Sequence, residues 1–452
     1  MFKSINPFTE ELFFEAPTLS TKEIASTLSK VDISFKKYRN TNFIERTKAL
    51  HSIAHDLLNN KQDYALTITQ EMGKPISQSV AEIEKCAGIC SYYADNSEKF
   101  LADQQYASSF STSFIRHEPL GALLAVMPWN FPFWQVFRFL APALMSGNIA
   151  LLKHAPNVGL CATTIEKIVN KYFDQQVLFN LFIDVKDVEK FIASNEIKAV
   201  TLTGSEYAGS AVAALAGANL KKCVLELGGS DPFIVLPDAD LEKTVDGAIA
   251  SRFSNAGQSC IAAKRFIIHK DLKHEFVKLL EAKISAFTIG DPSLSSTFMG
   301  PLARIDLKEK LNGQISKCIK LGDKISSYNK APNHGFFSQP CIIDDIHPTS
   351  PAVSEEFFGP VVSLFDFETE EEAIEIANNT PYGLGASVWT KDTSTIGNFI
   401  TNIDAGSVFV NDFVKSSYDL PFGGIKKSGY GRELSDLGIK EFVNTKTVVI
   451  AD

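Results

Sequence analysis

The chain has 452 residues, enough for two or three domains, and its 45% hydrophobic and 21% charged residues are ordinary for a globular protein. Its formal net charge of −9 argues against a nucleic-acid partner. No apolar stretch reaches the roughly 18–20 residues that a membrane-spanning helix needs, and residues 1–7 lack an apolar signal core. We therefore expect no membrane partner and no secretion.

The first half of the chain alternates between predicted helices and predicted strands. Residues 20–105 have the periodicity of amphipathic helices, for example at 44–58 and 64–72. Further along, the pattern predicts a strand at 109–118, a strand at 121–127, a helix at 133–146, a strand at 149–153, a strand at 199–202 and a helix from about 205 to 218. Strands and helices that alternate in this way predict a parallel, doubly wound sheet.

A second region of the same kind begins near Ser230, with predicted strands at 232–236, 266–269 and 384–389. The chain then ends in an apolar strand at 447–450. Because an apolar terminal strand needs a partner edge, we expect a homodimer or a homotetramer.

Seven cysteines are scattered along the chain, and their odd number suits reduced thiols in the cytoplasm better than a disulfide framework. They are Cys86, Cys90, Cys161, Cys223, Cys260, Cys318 and Cys341. Cys86 and Cys90 are four residues apart on a predicted helix, which is typical of a shared buried face. His51 and His55 have the same spacing and are predicted to be a surface pair, because no third ligand accompanies them. The sequence therefore predicts no metal site.

The segment NAGQSC, at 255–260, is the strongest single indication of chemistry. Small and polar residues precede Cys260, whereas a buried structural cysteine normally has apolar neighbours. Such a turn lets backbone and substrate approach closely, so Cys260 is a candidate reactive thiol. The alternative is a partly buried, inert cysteine.

Two other polar residues could act with this thiol. Glu226, in LELGG, ends a predicted strand among apolar residues, which makes it a candidate general base. Asn130, in PWNFP, is held between prolines and aromatic residues, and its amide could donate a fixed hydrogen bond. The alternatives are a capping or lysine-paired carboxylate and a simple turn before a helix. Together with Cys260 these residues supply the roles that acyl transfer through a thioester requires.

Six motifs in chain order resemble those of the NAD(P)-dependent aldehyde dehydrogenase superfamily, from about residue 6 to about residue 442. They are PWNFP, Gly204-Ser205, LELGG, GQSC, EEFFGP and PFGGIKKSGYGRE. The resemblance implies an α/β fold with two doubly wound Rossmann-like domains and a small β arm for oligomerisation. It places the cofactor-binding domain at 1–108 and 127–228, the catalytic domain at 229–432 and the oligomerisation arm at 109–126 and 433–452.

The same resemblance implies roles for individual residues. Cys260 would be the nucleophile, Glu226 the base, and Asn130 with the Cys260 backbone N–H the donors to the oxyanion. NAD or NADP would be the cofactor, and the positions that match the family's cofactor site are Trp129, Lys153, Gly204, Ser205, Gly209, Glu356 and Phe358. Many NAD-preferring members have a glutamate three residues after Lys153, where this chain has Pro156. That difference predicts that NADP is tolerated.

The expected substrate is an aldehyde with an anionic tail. Arg138 follows Asn130 by eight residues, a little over two helical turns, so both project near one face. The pattern is similar to that of succinate-semialdehyde dehydrogenases, which also use a serine before PFGG, here Ser416 or Ser417. Some of those enzymes have a second arginine six residues before the nucleophile, where this chain has Ser254. The alternative for Arg138 is a salt bridge on the helix surface.

The predicted reaction is therefore the oxidation of an aldehyde, succinic semialdehyde, to its acid. The alternative is a general aliphatic or aromatic aldehyde dehydrogenase, whose apolar tunnel would not place a cation at Arg138. A CoA-acylating enzyme or an acyl-phosphate reductase would lack the base Glu226. A non-catalytic relative would not need Cys260, Glu226 and Asn130 together.

Overall fold

A computed structural model describes residues 1–451 of the chain. Its α-helices are α1 (Thr21–Tyr38), α2 (Phe43–Asn59), α3 (Lys61–Met72), α4 (Ile76–Phe100), α5 (Trp134–Met145), α6 (Gly159–Asn170), α7 (Val188–Ala193), α8 (Glu206–Ala218), α9 (Leu241–Phe253), α10 (Lys270–Ser285), α11 (Ile305–Leu321), α12 (Pro351–Ser354), α13 (Glu370–Asn378), α14 (Thr393–Asn402) and α15 (Ser435–Lys440). Local signals start several of them. At α1, for example, Ser20 and Glu23 form a capping box in which each side chain accepts from the other's backbone N–H.

The strands form four sheets. They are β1 (Phe2–Ile5), β2 (Leu12–Ala16), β3 (Gln104–Gln105), β4 (Thr112–Pro119), β5 (Ala122–Met127), β6 (Ile149–His154), β7 (Leu178–Asn180), β8 (Ile197–Thr203), β9 (Lys222–Glu226), β10 (Asp231–Val235), β11 (Ala263–His269), β12 (Lys324–Ser327), β13 (Cys341–Asp344), β14 (Val361–Phe367), β15 (Ala386–Trp389), β16 (Val408–Val410), β17 (Gly429–Tyr430) and β18 (Val443–Ile450). β1 and β2 pair with each other.

A six-stranded sheet has the order β17-β9-β8-β5-β6-β7, in which all pairs are parallel except β17 with β9. Its central strand β5 reads ALLAVM and is almost wholly buried. An uninterrupted apolar run of this kind is typical of a parallel strand that is covered on both faces.

A seven-stranded sheet has the order β12-β13-β14-β11-β10-β15-β16 and is parallel except for the edge pair β12 and β13. It follows directly in the chain, because β9 ends at Glu226 and β10 begins at Asp231. The two parallel sheets confirm the predicted α/β class with two doubly wound regions.

The third large sheet has the order β18-β4-β3. The C-terminal strand β18 pairs antiparallel with β4 over eight residues, from Val443 opposite Pro119 to Ile450 opposite Thr112. The predicted arm at 109–126 reaches too far along the chain, since β5 lies inside the six-stranded sheet. Its unbroken apolar run needs burial on both faces, which a small projecting sheet does not offer.

The site follows from how the two parallel sheets face each other. β5, β8 and β9 end just before or at Asn130, Gly204 and Glu226, so these residues meet at the carboxyl edge of the six-stranded sheet. Cys260 and Glu356 instead precede β11 and β14, at the amino edge of the seven-stranded sheet. None of the helices within residues 1–451 combines the length and the apolar character needed to cross a membrane.

Candidate active site

Cys260 lies where two cavities meet. The first cavity has about 820 Å³ of empty space and is lined by Trp129, Asn130, Gly204, Ser205, Glu356 and Phe358 among others. The second has about 1040 Å³ and is lined by Lys85, Arg138, Ser254, Ser416 and Phe422 among others. Of the residues that line them, only Gln135 and Cys260 belong to both. A thiol in this position can reach a molecule in either cavity.

The backbone before Cys260 is unusual, because three successive residues have left-handed conformations. Their φ values are 54° at Asn255, 52° at Ala256 and 75° at Gly257. Left-handed backbone is costly for residues other than glycine. At Gly257 a side chain is also excluded by space, since a Cβ would lie 2.4 Å from the carbonyl oxygen of Gly359. The turn ends α9 and presents Cys260 at the cavities.

The fully buried Arg252 holds this turn in place. Its guanidinium donates hydrogen bonds of 3.1 Å to the carbonyl oxygens of Gly257, Ala263 and Phe357. Burial lowers the pKa of Arg252 to about 9. Arg252 therefore ties the turn before Cys260 to the loop that precedes β14. Its side chain does not line the second cavity.

Burial raises the pKa of the Cys260 thiol to about 12, although Lys264 and Arg138 act in the opposite direction. The Lys264 ammonium donates to the backbone oxygens of Ser259 at 3.0 Å and Cys260 at 2.7 Å, and lies 3.1 Å from a Glu356 carboxylate oxygen. The thiol thus needs a base to become a nucleophile near neutral pH.

Asn130 is buried beside Cys260 in the first cavity. Its Nδ2 donates to the backbone carbonyl oxygen of Gln258 at 3.1 Å, while the backbone carbonyl oxygen of Asn130 accepts from Asn255 Nδ2 at 2.8 Å. The backbone N–H of Cys260 has no acceptor within residues 1–451. The Asn130 amide and the Cys260 backbone N–H are therefore placed to donate hydrogen bonds to an oxyanion formed at Cys260.

A simple turn does not explain the position of Asn130, because another side chain caps the following helix. Glu82 of α4 accepts from the backbone N–H groups of Phe133 and Trp134 at 2.9 and 3.0 Å. His154 accepts from the N–H of Ala155 through Nδ1, so its Nε2 donates to the carbonyl of Pro132 at 2.9 Å. Burial lowers the pKa of His154 to about 4, which keeps the ring neutral.

Glu226 ends β9, and both of its carboxylate oxygens are buried without a hydrogen-bond partner in the described residues. Burial raises its pKa well above the usual range, and the nearby carboxylate of Glu433 raises it further, whereas Arg138 and Arg432 lower it. Arg138 lowers the pKa of both Glu226 and Cys260, so one cation acts on both groups.

Arg138 is buried rather than on the helix surface. Its guanidinium forms an ion pair with Glu433, donates to Thr203 Oγ1 at 3.3 Å and lies 4.9 Å from the centroid of the Phe422 ring. Arg138 does form a salt bridge, but the bridge is buried and does not lie on the helix surface. The Arg138 side chain is only 2% exposed and lines the second cavity.

The two candidate serines are placed differently. Ser416 is buried, lines the second cavity and accepts a hydrogen bond from Lys85 Nζ at 2.8 Å. The Ser417 hydroxyl instead bonds to Asp419, and Ser417 does not line the second cavity. Ser254 also lines this cavity.

The residues of the first cavity fit a dinucleotide. Ser205 caps α8 and accepts from the N–H of Ala208 at 3.3 Å, so the start of a 13-residue helix opens into the cavity. Trp129 and Phe358 meet edge to face with centroids 5.7 Å apart. Glu356 accepts from the N–H of Gly229 at 3.2 Å.

Two predicted cofactor residues do not line that cavity directly. Lys153 is buried near the end of β6 and has no carboxylate within 4.0 Å in residues 1–451, so it is an unpaired cation that suits a phosphate or ribose. Gly209 packs beneath Leu227, whose Cδ2 would lie 2.6 Å from a Cβ at that position. Gly209 therefore allows α8 to approach the strand end closely.

Three charged residues near Cys260 were not predicted from the sequence. Glu433 falls within PFGGIKKSGYGRE, and that motif was the signal that could have found it. Lys264 and Lys85 have no local motif, because each gains its position only through the fold. No group of three or more metal-ligating side chains occurs in the part of the chain that the structure describes.

Comparisons with known proteins agree with this geometry. The aldehyde dehydrogenase family model matches residues 1–448. The chain is 45% identical over 450 residues to a probable NADP(+) succinate-semialdehyde dehydrogenase of Synechocystis sp., and 44% identical over 453 residues to the NADP(+) succinate-semialdehyde dehydrogenase of Mycobacterium leprae, with 99% of every chain covered. It superimposes on the succinic semialdehyde dehydrogenase of Streptococcus pyogenes in complex with NADP+ with a TM-score of 0.97, at 35% identity over the full length of both chains. With a match of this extent around a cysteine that joins two cavities, the chain belongs to the aldehyde dehydrogenase family.

Proposed function

We propose that this protein oxidises succinic semialdehyde to succinate with NADP, through a covalent intermediate on Cys260. The observation that carries the proposal is the cationic second cavity, in which Lys85, Arg138 and Ser416 share a wall with Cys260. A purely apolar aldehyde would leave the Lys85 ammonium, which has no carboxylate within 4.0 Å in residues 1–451, without an anionic partner. The relatives named above, which act on this semialdehyde, support the same substrate.

The first step is attack of the thiolate on the aldehyde carbon. Glu226 takes the proton of Cys260 directly or through a water, because the buried thiol is otherwise neutral. A carbon–sulfur bond forms and the carbonyl oxygen becomes an oxyanion. The Asn130 amide and the Cys260 N–H donate to it, and loss of one such donor typically raises the barrier by about 2.7–4 kcal/mol.

A bound nicotinamide would supply the hydride acceptor, and loss of hydride from the thiohemiacetal carbon would leave a thioester on Cys260. In the first cavity Trp129, Ser205, Glu356 and Phe358 would hold the cofactor, with Lys153 near the ribose. Glu226 first releases to solvent the proton that it took from Cys260, and then removes a proton from water. The hydroxide adds to the thioester carbon and the thiolate leaves. Succinate is released, and Cys260 takes the second proton back from Glu226.

The preference for NADP is supported by Pro156, which is exposed three residues after Lys153. A carboxylate at that position would repel a 2′-phosphate, and proline removes this repulsion. The unpaired charge of Lys153 also favours an anionic group nearby.

We further propose a cytoplasmic homo-oligomer, either a dimer or a tetramer. All seven cysteines are free thiols, in keeping with a reducing compartment. The sheet formed by β3, β4 and β18 has exposed apolar side chains near its end, namely Tyr106, Phe110, Val449 and Ile450. Such side chains fit a contact with another copy of the chain. The division into a cofactor-binding domain, a catalytic domain and this arm is part of the same proposal.

The test compares kcat/KM for succinic semialdehyde and butanal, each with NADP and NAD. We expect a large preference for the semialdehyde and for NADP. Cys260→Ala should abolish oxidation, whereas Cys223→Ala, a half-buried cysteine outside both cavities, should keep wild-type rates. Glu226→Gln should slow thioester hydrolysis and expose a burst of reduced cofactor. Steady turnover by Cys260→Ala, or equal rates for both aldehydes, would refute the proposal.

A further inference from the structure

The backbone N–H of Cys260, one of the two donors to the oxyanion, belongs to the same peptide unit as the carbonyl of Ser259. The peptide bond between these two residues is trans. Because a trans peptide is planar, its N–H and C=O groups point in nearly opposite directions. A group that binds the Ser259 oxygen therefore fixes the direction in which the Cys260 N–H points.

The group that binds this oxygen is the ammonium of Lys264. Its Nζ donates to the carbonyl oxygen of Ser259 at 3.0 Å and to that of Cys260 at 2.7 Å. The Lys264 side chain is only 2% exposed, so bulk water does not compete for these contacts. One ammonium thus holds the peptide units on both sides of the Cys260 α-carbon.

The position of Lys264 is itself set from outside the loop that it binds. Its Nζ lies 3.1 Å from Glu356 Oε1, and the same oxygen accepts from the backbone N–H of Gly229 at 3.2 Å. An ammonium has three donors, and these three contacts use all of them. Lys264 is also the second residue of β11, the middle strand of the seven-stranded sheet. A strand and a carboxylate therefore anchor the cation against the flexible backbone before Cys260.

The charge of Lys264 acts in addition to its position. A cation at a carbonyl oxygen polarises the peptide unit and makes its N–H a stronger donor. Burial raises the pKa of the Cys260 thiol to about 12, and Lys264 and Arg138 act in the opposite direction, whereas Glu356 and Asp231 raise the pKa further. The cation of Lys264 thus favours both anions of the first step, the thiolate and the oxyanion.

We propose that Lys264 is the positioning residue of the oxyanion site, because its contacts with two successive carbonyls aim and strengthen the Cys260 N–H donor. The Asn130 loop is tied instead to Gln258 and Asn255, so the two donors have different supports. The inference rests on the proposed function, since it presumes that Cys260 adds to a carbonyl group. It does not depend on which aldehyde or which cofactor the enzyme uses.

The experiment compares two reactions of the same thiolate in the full-length enzyme. With 4-nitrophenyl acetate the thiolate adds to the ester carbon, the carbonyl oxygen becomes an oxyanion, and 4-nitrophenolate then leaves. With iodoacetamide the thiolate displaces iodide from a saturated carbon, and no oxyanion forms. The rates of Cys260→Ala give the background of the other cysteines. The ratio of the two second-order rate constants at one pH cancels the fraction of thiolate and reports the stabilisation of the oxyanion.

We expect Lys264→Met to lower the ratio of acylation to alkylation by about 10- to 100-fold, which is less than the roughly 100- to 1000-fold typical for complete loss of an oxyanion donor. Lys264→Gln keeps a neutral donor and should lower the ratio by a smaller factor, about 3- to 10-fold. Lys270→Met is the matched control, because it removes an exposed lysine whose ion pair with Glu368 is on the surface, and it should keep the wild-type ratio. Circular dichroism and the thermal midpoint would establish that each variant is folded.

A ratio within twofold of wild type in Lys264→Met would refute the inference, even if both rates fell equally, because Lys264 would then act on the thiol alone. If Lys264→Met does not fold, the same criterion applies to Lys264→Gln. Asn130→Ala removes the other donor and separates this inference from the function on which it rests. If Asn130→Ala lowers the ratio and the Lys264 variants do not, the inference alone fails. If Asn130→Ala leaves the ratio unchanged, the oxyanion site of the proposed function is wrong, and the role of Lys264 is refuted with it.

Discussion

Glu226 and Glu433 are two buried carboxyl groups near Arg138. The ion pair with Arg138 goes to Glu433, and both burial and the Glu433 carboxylate raise the pKa of Glu226. A general base works only in its deprotonated form, so hydrolysis of the thioester should become faster as pH rises through the pKa of Glu226. Burial, with a further contribution from Glu433, therefore moves the active range of Glu226 to higher pH.

We predict that Glu433→Gln moves the rise in hydrolysis rate to lower pH by about one unit or more. The change removes a negative charge and leaves Arg138 unpaired, and both effects lower the pKa of Glu226. Single-turnover hydrolysis would be followed from pH 5 to 9. Glu441→Gln removes a weaker influence on Glu226 and should cause a smaller shift in the same direction. An unchanged or higher midpoint in Glu433→Gln would contradict the assignment.

A second prediction at this scale concerns the coenzyme. Pro156→Glu introduces a carboxylate close to Lys153, where it would repel a 2′-phosphate and accept from ribose hydroxyls. We expect the ratio of kcat/KM for NADP over NAD to fall by about tenfold or more, since each 1.4 kcal/mol of repulsion is worth a factor of about ten. Pro237→Glu, at an exposed proline after β10, is the matched control and should leave the ratio unchanged.

Among the larger elements, the turn at Asn255–Gly257 is tied to its surroundings by a fully buried arginine, Arg252. Arg252 satisfies carbonyl oxygens from the turn, from β11 and from the loop before β14. Successive residues with left-handed backbone conformations are unfavourable by themselves. These hydrogen bonds therefore stabilise a conformation that the local sequence would not adopt alone.

Arg252→Met should lower the free energy of unfolding by about 3–5 kcal/mol, because several buried carbonyls lose their donor at once. Urea denaturation followed by tryptophan fluorescence would measure the loss. Arg304→Met removes an exposed arginine whose ion pair with Asp306 is on the surface, and its effect should stay below about 1 kcal/mol. Equal effects of the two substitutions would rule out the structural role of Arg252.

The sequence located most elements because their hydrophobic patterns are strong. The predicted strands at 121–127, 149–153 and 199–202 correspond to β5, β6 and β8, and the helix at 133–146 to α5. Motif spacing likewise found Cys260 and Asn130, which line one cavity, and Glu226, which is buried near Arg138 and Glu433. Lys85 was missed, because its partner Ser416 is 331 residues away and no local pattern connects them.

At the scale of the whole molecule, the β18-β4-β3 sheet carries apolar side chains that have no cover within the chain. Val449 is 43% exposed and Ile450 is 54% exposed. Strand β18 also leaves one of its edges unpaired within residues 1–451, since β4 is its only neighbour. Both features favour contact with a second copy.

We expect the double substitution Val449→Lys and Ile450→Lys to reduce the molar mass in solution to that of a smaller assembly or a monomer. Charges at the centre of an apolar contact are costly to bury. Size-exclusion chromatography with light scattering would measure the mass. Leu220→Lys changes an apolar residue that is 97% exposed far from this sheet, and its mass should equal that of wild type. An unaltered mass in the double variant would place the contact elsewhere.

The separation of the two cavities has a consequence for how such enzymes diverge. Helix α4 and residues 413–422 supply much of the wall of the second cavity, whereas α11 and residues 203–205 supply much of the wall of the first cavity. Mutations in the first set can therefore enlarge or recharge one chamber while the other keeps its shape. Enzymes with this architecture can therefore acquire a new substrate through changes in these two chain segments while they keep the same cofactor.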